Sequence, residues 1–187
     1  YMQILHGMIF GDAPDEGFIR GRDFIHPVLR FQFSVPEGFR LINNRRSVVA
    51  TGPNGALIRF DMDVKSRPVT MVSYLQNIWA KKARLRSLEQ ITVNGMDGAT
   101  GTSKIQRRDG IFDLRFVAIR QNKQRILRML FLTPQRLTKS LSTGLRRTTF
   151  SMRSISGQEA AEAKPWHLAI QPVRQGDTVA SVARKMT

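Results

Sequence analysis

Apolar and polar residues alternate with a period of two over much of the chain, and that period marks half-buried strands. Arg30-Phe31-Gln32-Phe33-Ser34-Val35 is the clearest case, with both phenylalanines and Val35 on one side. Pro36-Glu37-Gly38 turns this segment, and Phe39–Ile42 reads as a short strand. Ser47–Thr51 and Ala56–Asp61 flank Gly52-Pro53-Asn54-Gly55. Asn-Gly accepts the positive φ angles of a tight turn, so the pair reads as a hairpin.

From Pro68 to about Ala83 the period becomes helical. Met71, Leu75, Ile78 and Trp79 share one face, with Val72 beside them. Thr70 is placed to cap the start, and Lys81, Lys82 and Arg84 fall in the last turns, where they complement the helix dipole. Four strands follow. Ser87–Val93 closes at Asn94-Gly95, and Ala99–Arg107 closes at Arg108-Asp109-Gly110. Ile111–Arg120 places Phe112, Leu114, Phe116 and Ala118 on one face and Asp113 and Arg115 on the other. Gln121-Asn122-Lys123 leads into Arg125–Leu132, where Leu127, Met129 and Phe131 point inward. Strands joined by turns this short pair antiparallel, because parallel pairing needs crossovers.

Leu137, Leu141 and Leu145 predict a second long helix after Pro134, weakened at Gly144, and Thr149–Ser154 reads as an extended tail. Ser156-Gly157-Gln158-Glu159 has the form of a capping box opening a brief helix to Ala163. Pro165–Ile170 reads as an edge strand, and Gln175-Gly176-Asp177-Thr178 turns into a last helix, Val179 to Met186. Ahead of the strands, Gly7, Gly11, Pro14, Gly17 and Gly21 punctuate a lead-in. It reads as a short helical end near Met2–Leu5 and then an irregular arm. These patterns predict an α+β fold, an antiparallel meander with helices packed on it. They divide the chain into an N-terminal arm (residues 1–29), an α+β domain (30–155) and a C-terminal linker with a strand–helix segment (156–187).

Composition narrows the chemistry. Hydrophobic residues make up 41% of 187, enough for a packed core. Thirty Lys and Arg against fourteen Asp and Glu give a net charge of +16, a field that attracts polyanions. The cations are dispersed, without a long basic run. Arg115, Arg120, Arg125 and Arg128 on neighbouring strands are candidates for one polar sheet face. There is no cysteine, so thiolate catalysis, disulfides and cysteine-held zinc are excluded. No apolar stretch is long enough to span a bilayer as a helix. The opening Tyr1–His6 lacks a charged n-region and a cleavage site. We therefore expect a fragment whose localisation signal lies further upstream.

The three histidines, His6, His26 and His167, have no helical spacing and no HExxH context. No Gly-x-Ser-x-Gly elbow is present. Asp61-Met62-Asp63 puts two carboxylates on one strand face, in reach of a hard cation or a shared proton, though a polar strand end is the simpler reading. Catalytic residues, a metal site and a cofactor are therefore not expected in this chain.

Two segments resemble known families. The first is Gly7-Met8-Ile9-Phe10-Gly11-Asp12-Ala13-Pro14, then Gly17-Phe18-Ile19-Arg20-Gly21-Arg22-Asp23-Phe24-Ile25-His26-Pro27, then Phe31–Phe39. It resembles the region after the catalytic domain in bacterial periplasmic zinc-dependent proteases of the HExxH type, often described as containing TPR repeats. The second, Val173–Ala183, resembles the first half of a LysM module, where Gly176-Asp177-Thr178 opens the first helix. The order of elements in the middle domain is also similar to a PsbP-like α/β/α sandwich.

The protease resemblance implies a non-catalytic C-terminal accessory region, periplasmic or associated with the outer envelope. It would contact the preceding protease domain, a protein substrate or peptidoglycan, with zinc held only by the catalytic domain. The contact residues implied are Arg20, Arg22 and His26 in the arm and Gly176, Asp177 and Thr178 in the LysM-like turn. Arg20 and Arg22 have a second open reading, as a clamp pairing with Asp12, Asp15 or Glu16. Two other functions stay open: a charge-driven binder of nucleic acid or of an anionic envelope surface, and a hydrolase whose metal site is not evident in the sequence.

Overall fold

The strands expected from two-residue alternation are present, and every strand pair is antiparallel. The computed structural model describes residues 8–10, 14–65, 69–164, 166–168, 170, 173 and 175–184. In chain order the elements begin with β1 (Ile9–Phe10), β2 (Phe18–Arg20), β3 (Asp23–His26), β4 (Phe31–Ser34), β5 (Arg40–Asn44), β6 (Ser47–Thr51) and β7 (Leu57–Val64). Helix α1 (Met71–Tyr74) runs directly into a wider π turn, Leu75–Trp79. Next come β8 (Arg86–Val93), β9 (Met96–Arg107), β10 (Gly110–Arg120), β11 (Arg125–Pro134), α2 (Thr138–Ser151) and β12 (Arg153–Ser154). The chain closes with α3 (Gly157–Glu162), β13 (Trp166–His167) and α4 (Val179–Arg184).

Seven strands form the main sheet in the order β5-β6-β7-β11-β10-β9-β8. A smaller sheet has the order β12-β4-β3-β2, and β1 pairs with β13. The turns carry the residues that a positive φ requires: Asn54 (51°) with Gly55 (83°), and Asn94 (48°) with Gly95 (80°). Thr70 caps α1 by accepting from the Ser73 N–H, and Ser156 and Glu159 form the expected reciprocal capping box on α3.

Register decides which face each side chain takes. Leu127, Met129 and Phe131 of β11 join Val117 and Ile119 of β10 on one face of the main sheet. Phe24, Phe31 and Phe33 of the small sheet pack on that face and meet Phe60, with ring centroids 6.2, 5.3 and 4.9 Å apart. Leu145 and Met152, in and just after α2, complete this core. Helix α1 covers the opposite face, where Met71, Tyr74 and Leu75 bury against Ala99, Phe116 and Ala118. The layers are therefore helix, sheet, then helix beside a small sheet. Gly144 of α2 lies against Pro36 after β4. A Cβ there would sit 3.1 Å from the proline ring, so the glycine sets a close approach rather than a weak point.

Three sequence expectations change. Part of the lead-in assigned to an arm is structural: β2 and β3 pair with β4, and Phe24 is 1% exposed. The boundary expected near residue 29 therefore falls inside the small sheet, because the apolar partners of Phe18 and Phe24 are distant in sequence. Helix α1 and its π turn end at Trp79 instead of reaching Ala83. That turn lets Trp79 stack edge-on against Phe116, 5.3 Å away, and leaves Lys81, Lys82 and Arg84 beyond the helix. Helix α2 extends through Ser151, where an extended tail was expected. Thr148 and Thr149 return their hydroxyls to the carbonyls of Gly144 and Leu145, and Asn94 donates to the Phe150 and Met152 carbonyls. Within the expected edge strand, Trp166–His167 pairs with β1 and the Leu168 N–H donates to the Met8 carbonyl, while Pro165 and Ala169 lie outside the described residues. The helical end near Met2–Leu5, Asp12 and the close of the last helix at Met186 lie outside the described residues.

Candidate functional site

The residues singled out in the sequence do not converge. Arg20 is exposed at the end of β2; its guanidinium lies over Phe18 at 5.3 Å and donates to the Lys164 carbonyl at 2.5 Å. Arg22, in the β2–β3 turn, donates to the Val35 carbonyl at 3.4 Å. A clamp is thus present, but it grips carbonyls; neither arginine pairs with Asp15 or Glu16.

His26 ends β3, three residues from Asp23 and therefore about 10 Å along the strand. It is 5% exposed, its ring packs on Phe24 and Phe31, and its Nδ1 accepts from the Leu29 N–H at 3.3 Å. Burial, with the charge of Arg125 adding to it and Asp15 opposing, lowers its pKa to about 4. It is a core histidine. Gly176, Asp177 and Thr178 form the turn into α4. Gly176 has φ 93°, and Thr178 and Ser181 cap one another through side-chain and backbone groups. This is a local helix start.

The four sheet arginines do not share a face. Partners across a ladder point the same way, so Arg115 (opposite Phe131) faces α2, while Arg120 (opposite Ile126) and Arg128 (opposite Asp61) face α1. Arg125 lies near His26 and donates to Gln121. Arg120 is bonded to the Val69 carbonyl. Arg128 donates to Asp61 at 2.6 Å and to the Tyr74 hydroxyl at 3.3 Å, and lies over Trp79 at 5.1 Å.

The paired carboxylates of β7 do share a face, and both are occupied. Arg59 and Arg128 hold Asp61; Lys65 and the Tyr74 hydroxyl hold Asp63, the latter at 2.7 Å. Burial pushes the Asp63 carboxyl up, but the Tyr74 hydrogen bond, the Lys65 charge and the Val64 N–H outweigh it and hold it below the usual carboxylate range. Burial, then the bond to Asp63, raises the Tyr74 phenol. Among the described residues no group of three or more His, Cys, Asp or Glu is placed to hold a metal ion.

A groove runs beside α2. The helix packs on β4 and β11, and a gap separates it from parts of β8, β9 and β10. Two cavities of about 260 and 240 Å³ occupy the gap and share Thr102 and Arg115. Thr138, Ser142, Leu145 and Thr149, at helical spacing, form the wall on α2; Arg86, Glu89 and Ile91 form the wall on β8. Asp113 closes one end, tied to Thr138 at 2.5 Å and to Lys104 at 3.6 Å. At the other end Arg146 covers the half-exposed Phe150 ring at 5.7 Å. Arg115 stands in the middle, partly buried and without a hydrogen-bond or ion-pair partner. In the second cavity the buried Thr100 hydroxyl has no hydrogen-bond partner either. The site offers a cation, hydroxyls and an apolar wall, but no histidine lies along its described lining.

This layout of layers and helices matches solved structures. The fold is PsbP-like. The cyanobacterial PsbP protein CyanoP from Synechocystis aligns with a TM-score of 0.50 at 11% identity, covering 80% of this chain and 93% of its own. LpqN of Mycobacterium tuberculosis, described as involved in cell envelope biogenesis, aligns with a TM-score of 0.54 at 11% identity over 67% of this chain and 83% of its own. A Bacteroides thetaiotaomicron protein gives a TM-score of 0.55 at 11% identity over 75% of this chain, which spans half the length of that protein. No protein-family model matches the sequence, and a search of curated proteins found no match. The PsbP-like fold is what these likenesses share.

The hydroxyl wall of α2 escaped the sequence reading because Leu137, Leu141 and Leu145 dominate that helix by hydropathy. A second stripe, Thr138, Ser142, Leu145 and Thr149, lies at spacings of four, three and four and was the signal available.

Proposed function

We propose that this chain is a non-catalytic accessory region of a periplasmic zinc-dependent protease of the HExxH type, and that it holds polypeptide in the groove beside α2. The observation that carries the reading is Arg115, a partly buried cation without a partner in an open groove. The protease-like segments supply the parent. Part of the first is built into the small sheet through β2 and β3. LpqN, which shares the fold, is described as involved in envelope biogenesis, in keeping with an envelope location. No described helix is long and apolar enough to cross a membrane. In the same reading the LysM-like turn at Gly176–Thr178 is the place for a cell-wall contact.

A charge-driven polyanion binder has less support. It needs cations gathered on one surface, whereas Arg120 and Arg128 are drawn into bonds on the α1 face. The test of the protease parentage is the reading frame upstream of Tyr1. The proposal expects an HExxH helix there; a start codon and signal peptide immediately before Tyr1 would contradict it.

A further inference from the structure

We infer that the groove beside α2 recognises the C-terminal carboxylate of a polypeptide whose last side chain is apolar. The inference rests on the accessory reading for its class of partner and adds the chemistry of the contact.

An unpaired guanidinium is costly to desolvate unless an anion meets it, and a carboxylate matches its planar fork in two parallel bonds. Arg115 belongs to both cavities, so an anion placed on it has room on either side. On one side Phe131 and Leu145 line the cavity of about 260 Å³. That is enough for one large apolar side chain next to the carboxylate. On the other side the groove continues past the unpartnered Thr100 hydroxyl toward Ile91 and Phe150. From Thr138 to Phe150 the helix rises about 18 Å, the reach of about five extended residues.

The lining selects among carboxylates. Thr133 in one cavity and Thr100 in the other offer hydroxyls, and Thr138, Ser142 and Thr149, which donate to Asp113 and to the Lys139 and Leu145 carbonyls, keep their oxygens as acceptors for N–H groups. Hydroxyls suit the amides of a peptide backbone and leave a plain hydrocarbon tail badly matched. Charge favours an acid end as well. Arg86, Lys104, Arg115 and Arg146 stand against Asp113 and Glu89, and Asp113 is already engaged by Lys104.

The test uses the full chain and a fluorescent five-residue peptide ending in phenylalanine, as the free acid and as the C-terminal amide, read by anisotropy. The acid is expected to bind at least about tenfold more tightly than the amide, the value of one charge-assisted contact. Arg115→Gln removes that preference without lowering the melting temperature, since Arg115 has no partner to lose. Ser142→Trp, which fills the apolar cavity from an exposed helix position, weakens the acid by a similar factor and leaves Arg115 in place.

Equal binding of acid and amide, a preference that survives Arg115→Gln, or no binding of the acid overturns the inference. So does decanoate displacing the peptide more effectively than the unlabelled peptide acid. Peptide binding without acid preference would remove only the carboxylate contact and leave the accessory reading standing. A missing HExxH helix upstream would remove the accessory reading and leave this result untouched.

Discussion

Phe24→Ala is expected to lower the unfolding free energy by about 3–5 kcal/mol, the cost of truncating a buried phenylalanine whose surroundings cannot collapse. The site cannot collapse because four rings hold each other. Phe24 lies 5.5 Å from Phe33, 6.1 Å from Phe31 and 6.2 Å from Phe60, with β3 clamped between β2 and β4. Against a usual total of about 5–15 kcal/mol, the loss leaves a protein close to unfolding at ordinary temperature. Phe150, 41% exposed, serves as the control; its alanine variant shifts the urea midpoint little. A Phe24→Ala loss below about 1 kcal/mol would mean that β2 and β3 are an appendage, as the sequence suggested, and not a layer of the core.

Acid weakens the fold through His26. Its pKa falls from 6.5 to about 4 on folding, so between those values the unfolded chain binds more protons than the folded one. Lowering the pH in that window therefore favours unfolding. The contribution is fully present above 6.5, declines as the pH drops, and is fully lost below about 4. A gap of 6.5 − 4 = 2.5 sets an upper size of roughly 3 kcal/mol. The cause is desolvation first: protonation would place a charge among Phe24 and Phe31 and near Arg125, with the charge of Asp15 opposing. Asp63 does not mask the effect, because its carboxyl is held below its usual 3.8 and gives up stability only at lower pH. Urea unfolding of the wild type and of His26→Gln, followed down through this window, tests it. The difference between the two is expected to narrow as the pH falls; parallel curves would show that His26 does not titrate with unfolding.

Local chemistry was legible in the sequence, and distant pairing was not. The turns at Asn54-Gly55 and Asn94-Gly95, the Thr70 cap and the Ser156 capping box each need only residues adjacent in the chain, and each is present where the pattern put it. The meander from β8 to β11 follows from short turns alone. The small sheet depends on Phe24 meeting Phe60 and on β12 meeting β4 across more than a hundred residues, and glycine punctuation in the lead-in concealed it.

The candidate contacts are dispersed for a related reason. Arg20, Arg22 and His26 are close in sequence, but the strand alternation and a buried ring pocket send them to separate partners. Arg115 stood out in the sequence only as one of four strand arginines. Register alone assigns it to the α2 face and sends Arg120 and Arg128 to the opposite one.

The most direct measurement is a joint assay of the purified chain for bound zinc and for proteolysis of casein, with and without a chelator. Contact without cleavage predicts intact casein and zinc well below one ion per chain. Casein digestion that a chelator abolishes, with zinc at unit stoichiometry, would contradict it.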